Sequence, residues 1–93
     1  MSPDETRSIV LRCIRRVAPE VNPDEIEPDV NLRDQLDIDS MDFLNIVIAI
    51  DRETGVDIPE ENYPELLTLD ALVSYVHQEA TAAERRGHSD TGG

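Results

Sequence analysis

The hexapeptide Asp37-Ile38-Asp39-Ser40-Met41-Asp42 holds the densest chemistry in this chain, a serine hydroxyl among acids at the edge of an apolar stretch. Three chemistries could use such a segment. A calcium loop opening at Asp37 fails, because it would need an oxygen ligand where Met41 stands, glycine at Asp42 and glutamate at Ile48. Hydrolysis by paired carboxylates needs two acids in one shared concave site, and the acids here are too widely spread to define one. A helix start fits. Asp39 serves as N-cap and Asp42 as the acid of the first turn, which leaves Ser40 at the first helical position with its hydroxyl outward. On spacing alone this is an ordinary capped helix. The remaining reactive side chains offer less. Cys13 falls on an apolar stripe with no His or Lys near it in sequence, and reads as a small core residue. His77 and His88 have no second ligand at metal spacing and read as solvated or structural. No specific metal site is expected.

The elements that position these residues must come from 93 residues, enough for one small domain. Formal net charge is -13, from 21 acids and 8 bases, and every base is an arginine. A cationic face for phosphate contacts is missing, so nucleic acid is excluded as a partner. An anionic membrane surface is disfavoured for the same reason. With aromatics at 3% and no Trp, the core must be aliphatic. One cysteine permits no intramolecular disulfide. The longest apolar run, Ile46 to Ile50, is five residues, too short for a membrane span or a signal-peptide core. A reduced, soluble, cytoplasmic monomer is the expectation.

The acidity is uneven. Residues 1–19 carry two acids against four arginines, whereas residues 20–65 carry fifteen acids against Arg33 and Arg52 alone. The middle of the chain accounts for the whole imbalance.

Hydrophobic spacing and breaker residues predict an all-α fold: a small four-helix bundle of three main helices and one short one, with a long loop between the first two. Ser2 caps a first helix that begins at Pro3, carries Ile9, Val10, Cys13, Ile14 and Val17 at helical spacing, and stops at Pro19. From Pro19 to about Asp39, three prolines and no sustained period indicate a loop, with one helical turn near Pro23 and with Ile26, Val30, Leu32 and Leu36 spaced to pin it. A loop of this length inside a small domain is more often functional than not. The second helix runs from Ser40 to about Glu53 and closes at Gly55. A short irregular turn follows between Glu60 and Leu66. Thr68 caps a last helix from about Leu69 to Glu84. The domain is then residues 1–84, and residues 85–93, without apolar side chains, form a disordered tail.

Seven of the ten residues from Met41 to Ile50 are Met, Phe, Leu, Ile or Val. At about 100° per residue they split into two stripes. Phe43, Ile46, Val47 and Ile50 share one side; Met41, Leu44 and Ile48 lie nearly opposite, flanked by Asp42 and Asn45. A surface helix buries one stripe. Either the long loop covers the second stripe, or it stays exposed as a small apolar patch ringed by carboxylates, the character of a docking surface.

Around these residues the chain resembles the acyl carrier protein family. The family pattern Leu-Gly-x-Asp-Ser-Leu stands here as Leu36-Asp37-Ile38-Asp39-Ser40-Met41. The segment Ile50-Asp51-Arg52-Glu53-Thr54-Gly55-Val56-Asp57-Ile58-Pro59-Glu60 is similar to the helix-to-loop segment that follows, and Thr68-Leu69-Asp70 through Tyr75-Val76 to the last helix. The similarity covers about residues 5 to 80. It implies a 4′-phosphopantetheine arm on Ser40, beside Asp39, and acyl groups carried on that arm as thioesters. The implied function is that of a freestanding carrier, not an enzyme, in fatty acid, polyketide or specialised lipid biosynthesis. Implied partners are a phosphopantetheinyl transferase and acyl-transferring or ligase-type enzymes with basic docking patches. They would meet Met41, Asp42, Leu44, Asn45, Ile48, Asp51 and Glu53. Four positions depart from the family pattern: Asp37 replaces its glycine, Met41 its leucine and Asn45 an acid, and Arg52 interrupts the acidic face. The alternatives are an acidic helical interaction module with this fold and no arm, or a peptidyl or aminoacyl carrier.

Overall fold

The computed structural model describes the backbone of residues 2–92 and the side chains of residues 2–84. Its elements are α1 (Pro3–Val17), a 3-10 turn (Pro23–Glu25), α2 (Leu32–Leu36), α3 (Ser40–Thr54), a 3-10 helix (Glu60–Glu65) and α4 (Leu69–Gly92). Among the described residues there is no strand, only an isolated antiparallel bridge between Asn31 and Thr68. The fold is the expected small all-α bundle.

Both long central helices are fixed by their ends. Ser2 Oγ accepts from the Glu5 amide (3.2 Å), and Pro3 takes the first position of α1. α3 ends at Gly55, whose φ of 75° suits the left-handed terminus, and its N–H donates to the Asp51 carbonyl (2.7 Å). α1 packs against α3 and α4. Val10, Cys13 and Ile14 of α1 meet Phe43, Ile46, Val47 and Ile50 of α3 and Leu69, Leu72 and Val76 of α4 in one aliphatic core. Thr6 is fully buried among them. Its hydroxyl proton goes to the Ser2 carbonyl (3.0 Å), so the hydroxyl accepts from His77 Nδ1 (3.3 Å), tying α1 to α4. His77 is thereby structural.

The long first loop is held at several points. Ile26 and Leu32 are buried as expected, with Val30 and Leu36 half-buried. Its backbone is sewn to the start of α4 by Leu32 N–H to Leu67 O (2.7 Å) and Asp70 N–H to Pro28 O (3.0 Å). Gln35 fastens it from within, donating to the carbonyls of Glu27 (2.8 Å) and Val30 (2.9 Å) and accepting from the Glu27 amide (2.9 Å).

Two differences from the residue pattern stand out. Leu32–Leu36 is a helix where only loop was expected; Asn31 caps it by accepting from the Arg33 amide (2.8 Å). α4 is traced to Gly92 rather than ending at Glu84. Its middle, rich in Ala and Glu, has strong helix formers and no proline to stop it. The expected tail, residues 85–93, lies outside the residues whose side chains are described.

Candidate functional site

The site is built from the turn that joins α2 to α3. Asp37 ends α2 with φ of 53°, the one left-handed non-glycine residue in the described backbone, and its amide donates to the Arg33 carbonyl. Aspartate adopts this region more readily than most side chains. This position needs positive φ, which accounts for the glycine in the family pattern, and Asp37 meets the same need. The Ile38 amide also reaches the Arg33 carbonyl (3.3 Å), and the Ile38 side chain is buried. The chain thus enters α3 in a fixed direction.

At that entry Asp39 and Asp42 form a reciprocal capping box. Asp39 Oδ1 accepts from the Asp42 amide (2.9 Å), and Asp42 Oδ2 accepts from the Asp39 amide (3.3 Å). Ser40 follows as the first helical residue, exposed, its hydroxyl bonded to nothing among the described residues. The amides of Ser40 and Met41 likewise find no acceptor among the described residues. A hydroxyl, two free N–H groups and the positive end of a 15-residue helix therefore meet at one point. An anion linked to Ser40 Oγ would be received there by backbone donors.

Beside Ser40 opens a cavity of about 170 Å³ lined by Arg33, Ser40, Phe43, Tyr63, Pro64 and Leu67. Phe43 and Tyr63 meet edge to face, with ring centroids 5.4 Å apart at 72°. Burial, followed by the charges of Glu60 and Asp57, raises the Tyr63 phenol above its ordinary value, so it stays neutral. The walls are mostly carbon, and Arg33 supplies the one cation. The short 3-10 helix supplies Tyr63 and Pro64 to this wall, a role the residue pattern did not reveal.

His77 is engaged with Thr6, and no described base contacts Ser40. Cys13 is fully buried in the core, and its thiol is pushed up by burial and by Glu53, against the opposing pull of Arg16 and Arg12. Among the described residues, no group of three or more His, Cys, Asp or Glu is placed to hold a metal ion. No described helix is long and apolar enough to cross a membrane.

The expected docking residues divide. Met41 is 63% and Ile48 42% exposed, so the long loop does not cover the second stripe of α3. Asn45 and Asp51 are exposed beside them, while Leu44 and Asp42 are half-buried. Glu53 departs from the expectation. Arg16 (2.6 Å) and Arg12 (3.2 Å) of α1 both hold its carboxylate, so it is turned to a neighbouring helix and its charge is compensated. The reason is tertiary: α1 lies along that flank of α3, with its arginines one turn apart.

Comparison with known protein families matches residues 8–76 to the family described as "phosphopantetheine attachment site". Among curated proteins, the acyl carrier protein of Rubrobacter xylanophilus is 27% identical over 79 residues, covering 82% of this chain and 98% of that protein. The acyl carrier protein of Bdellovibrio bacteriovorus is 31% identical over 62 residues, or 67% of this chain and 80% of that one. Acyl carrier protein AcpXL of Mesorhizobium japonicum is 46% identical over 46 residues, half of each chain. The matched family segment runs from α1 through the capped serine of α3 into α4, and with it the chain belongs to the acyl carrier protein family, whose prosthetic group is 4′-phosphopantetheine.

Proposed function

We propose that Ser40 is the attachment point of the phosphopantetheine arm and that the protein carries acyl intermediates between enzymes of fatty acid, polyketide or specialised lipid biosynthesis. The observation that carries this reading is the state of Ser40: an exposed, unbonded hydroxyl at the first position of a capped helix, with two free amides and an apolar cavity beside it. The arm, when bound, supplies a terminal thiol that holds acyl groups as thioesters. The residues of the chain do the rest. The Ser40 and Met41 amides receive the phosphodiester, and the capping box of Asp39 and Asp42 holds the serine at the helix end. The exposed face of Met41, Asn45, Ile48 and Asp51, with the half-buried Leu44 and Asp42, meets the partner enzymes.

Those partners are a phosphopantetheinyl transferase and acyl-transferring or ligase-type enzymes with basic patches, drawn by long-range attraction to an acidic surface. The protein acts in the cytoplasm as a monomer and performs no catalysis of its own.

Coexpression with a phosphopantetheinyl transferase, read by intact-mass spectrometry, tests the assignment. The protein gains one phosphopantetheine mass, and Ser40→Ala gains none while keeping its helical circular-dichroism spectrum. Modification of the alanine variant would move the attachment elsewhere. An unmodified wild type with every transferase tried would favour an acidic interaction module with no arm.

A further inference from the structure

The cavity beside Ser40 contains a charged group that the attachment itself does not explain. Arg33 lines the same 170 Å³ space as Ser40, and its guanidinium makes no ion pair or hydrogen bond among the described residues. That is unexpected on charge alone. Fifteen acids lie in residues 20–65, and Asp34 and Asp37 are sequence neighbours of Arg33. Arg12 and Arg16, by contrast, share one carboxylate. The Arg33 backbone is also fixed relative to Ser40. Its carbonyl accepts from both Asp37 and Ile38, the two residues of the turn that delivers the chain to Asp39 and Ser40.

We propose that Arg33 positions the arm by binding its phosphodiester, so that the phosphate is drawn toward the cavity that Arg33 and Ser40 both line. The proposal rests on the reading of Ser40 as the attachment point. A phosphodiester on Ser40 adds a negative charge to a turn that already holds Asp37, Asp39 and Asp42. The helix end offsets part of that charge, and a cation offsets more. Arg33 is the candidate because it is the one base that lines the cavity with Ser40. The only other base in residues 20–65 is Arg52, twelve residues along α3 and so about 18 Å from Ser40. Guanidinium suits the task, since it stays charged and its planar fork pairs with two phosphate oxygens at once. Phe43, Tyr63, Pro64 and Leu67 then offer apolar contact to the first part of the arm.

The test uses the full chain, loaded to completion by a transferase and checked by mass. Phosphorus NMR is recorded on wild type, Arg33→Gln and Arg52→Gln, each native and in urea. The Arg33 Nε–H resonance of wild type is followed from the unloaded to the loaded form. In wild type the phosphorus resonance differs between native protein and urea, and the Arg33 Nε–H resonance shifts on loading. Arg33→Gln loses most of the native-state difference, and Arg52→Gln retains it. Arg33 is exposed, so its substitution leaves the core and the melting temperature unchanged. Equal phosphorus shifts in wild type and Arg33→Gln, an unmoved Nε–H resonance, or the same loss in Arg52→Gln would each overturn the role of Arg33 and leave the attachment standing. Failure of wild type to gain mass would instead overturn the attachment, and this proposal with it.

Discussion

Ile46 and Ile48 lie two residues apart on α3, and truncating each to alanine measures which way that helix faces. Ile46→Ala and Ile48→Ala delete the same atoms from the same helix, so the small gain in helix propensity cancels between them. Burial is what differs: Ile46 is fully buried, and Ile48 is 42% exposed. At Ile46 the loss is the transfer energy plus a residual cavity under α1, about 2–4 kcal/mol. At Ile48 roughly half of about three methylene-equivalents is already in water, and no sealed cavity can form. At about 0.8 kcal/mol per buried methylene, and after the propensity gain, the loss is about 1 kcal/mol or less. The gap of about 2 kcal/mol corresponds to roughly 10 °C in melting temperature for a domain of this size. Thermal melts by circular dichroism read it directly, and both variants are compared with wild type in one buffer. Equal losses, or a larger loss at Ile48, would mean that the exposed stripe is packed in solution and that the docking face is misplaced.

Three further outcomes follow from the same structure. Asp51→Arg, on the exposed flank of α3, slows association with the transferase several-fold and weakens its salt dependence, whereas Asp24→Arg in the first loop changes neither; stopped-flow rates at two ionic strengths decide. The Cys13 thiol is pushed up in the fold, so its contribution to stability is full below the ordinary value of 9.0 and is lost as pH climbs past it. Melting temperature therefore falls above about pH 9, and Cys13→Ala flattens that slope. Tyr63, raised in the same direction, leaves a residual decline at higher pH. Sodium chloride raises the melting temperature by screening fifteen acids, and magnesium does so at lower concentration; a melt unmoved by either would show that repulsion is not what limits this domain.

The parts of the fold legible in the sequence are those with local causes. Ser2, Asp39 and Gly55 mark helix ends through their own side chains or their own φ, and the stripe of Phe43, Ile46, Val47 and Ile50 repeats often enough to show its face. α2 escaped because five residues cannot display a period. Its signals were Asn31 as a cap and Leu32 and Leu36 four apart. It is held in part by the Leu32 amide donating to the Leu67 carbonyl, a bond that no local window contains. Glu53 was misplaced for a related reason. A helical wheel gives the direction of a side chain but not what stands there, and its partners Arg12 and Arg16 are 41 and 37 residues away in sequence. The same limit hid Arg33. Counted along the chain it is a lone base in an acidic stretch, and only the left-handed turn at Asp37 brings it to the cavity of Ser40.

The distribution of counter-charge explains how α3 holds its acids at both ends and still presents the face proposed to meet partners. Glu53 lies in its last turn, where the negative end of the helix dipole makes a carboxylate costly. Two arginines of α1 are placed there, which also gives the cationic first helix a role in fixing how α1 lies on α3. Asp39 and Asp42 lie in the first turn, where the dipole and the free amides favour them, and the capping box satisfies them without any base. The two ends are stabilised by different means, and neither uses a cation on the exposed face between them. Had the arginines of α1 been spread over that face, the domain would repel itself less, but its long-range attraction for basic partners would fall with the same charge. Pairing them at the far end of α3 offsets charge where the acid is costly, while Asp51, on the proposed docking face, makes no ion pair among the described residues. A phosphodiester on Ser40, as proposed, would arrive at the one end of the helix whose dipole favours another negative charge.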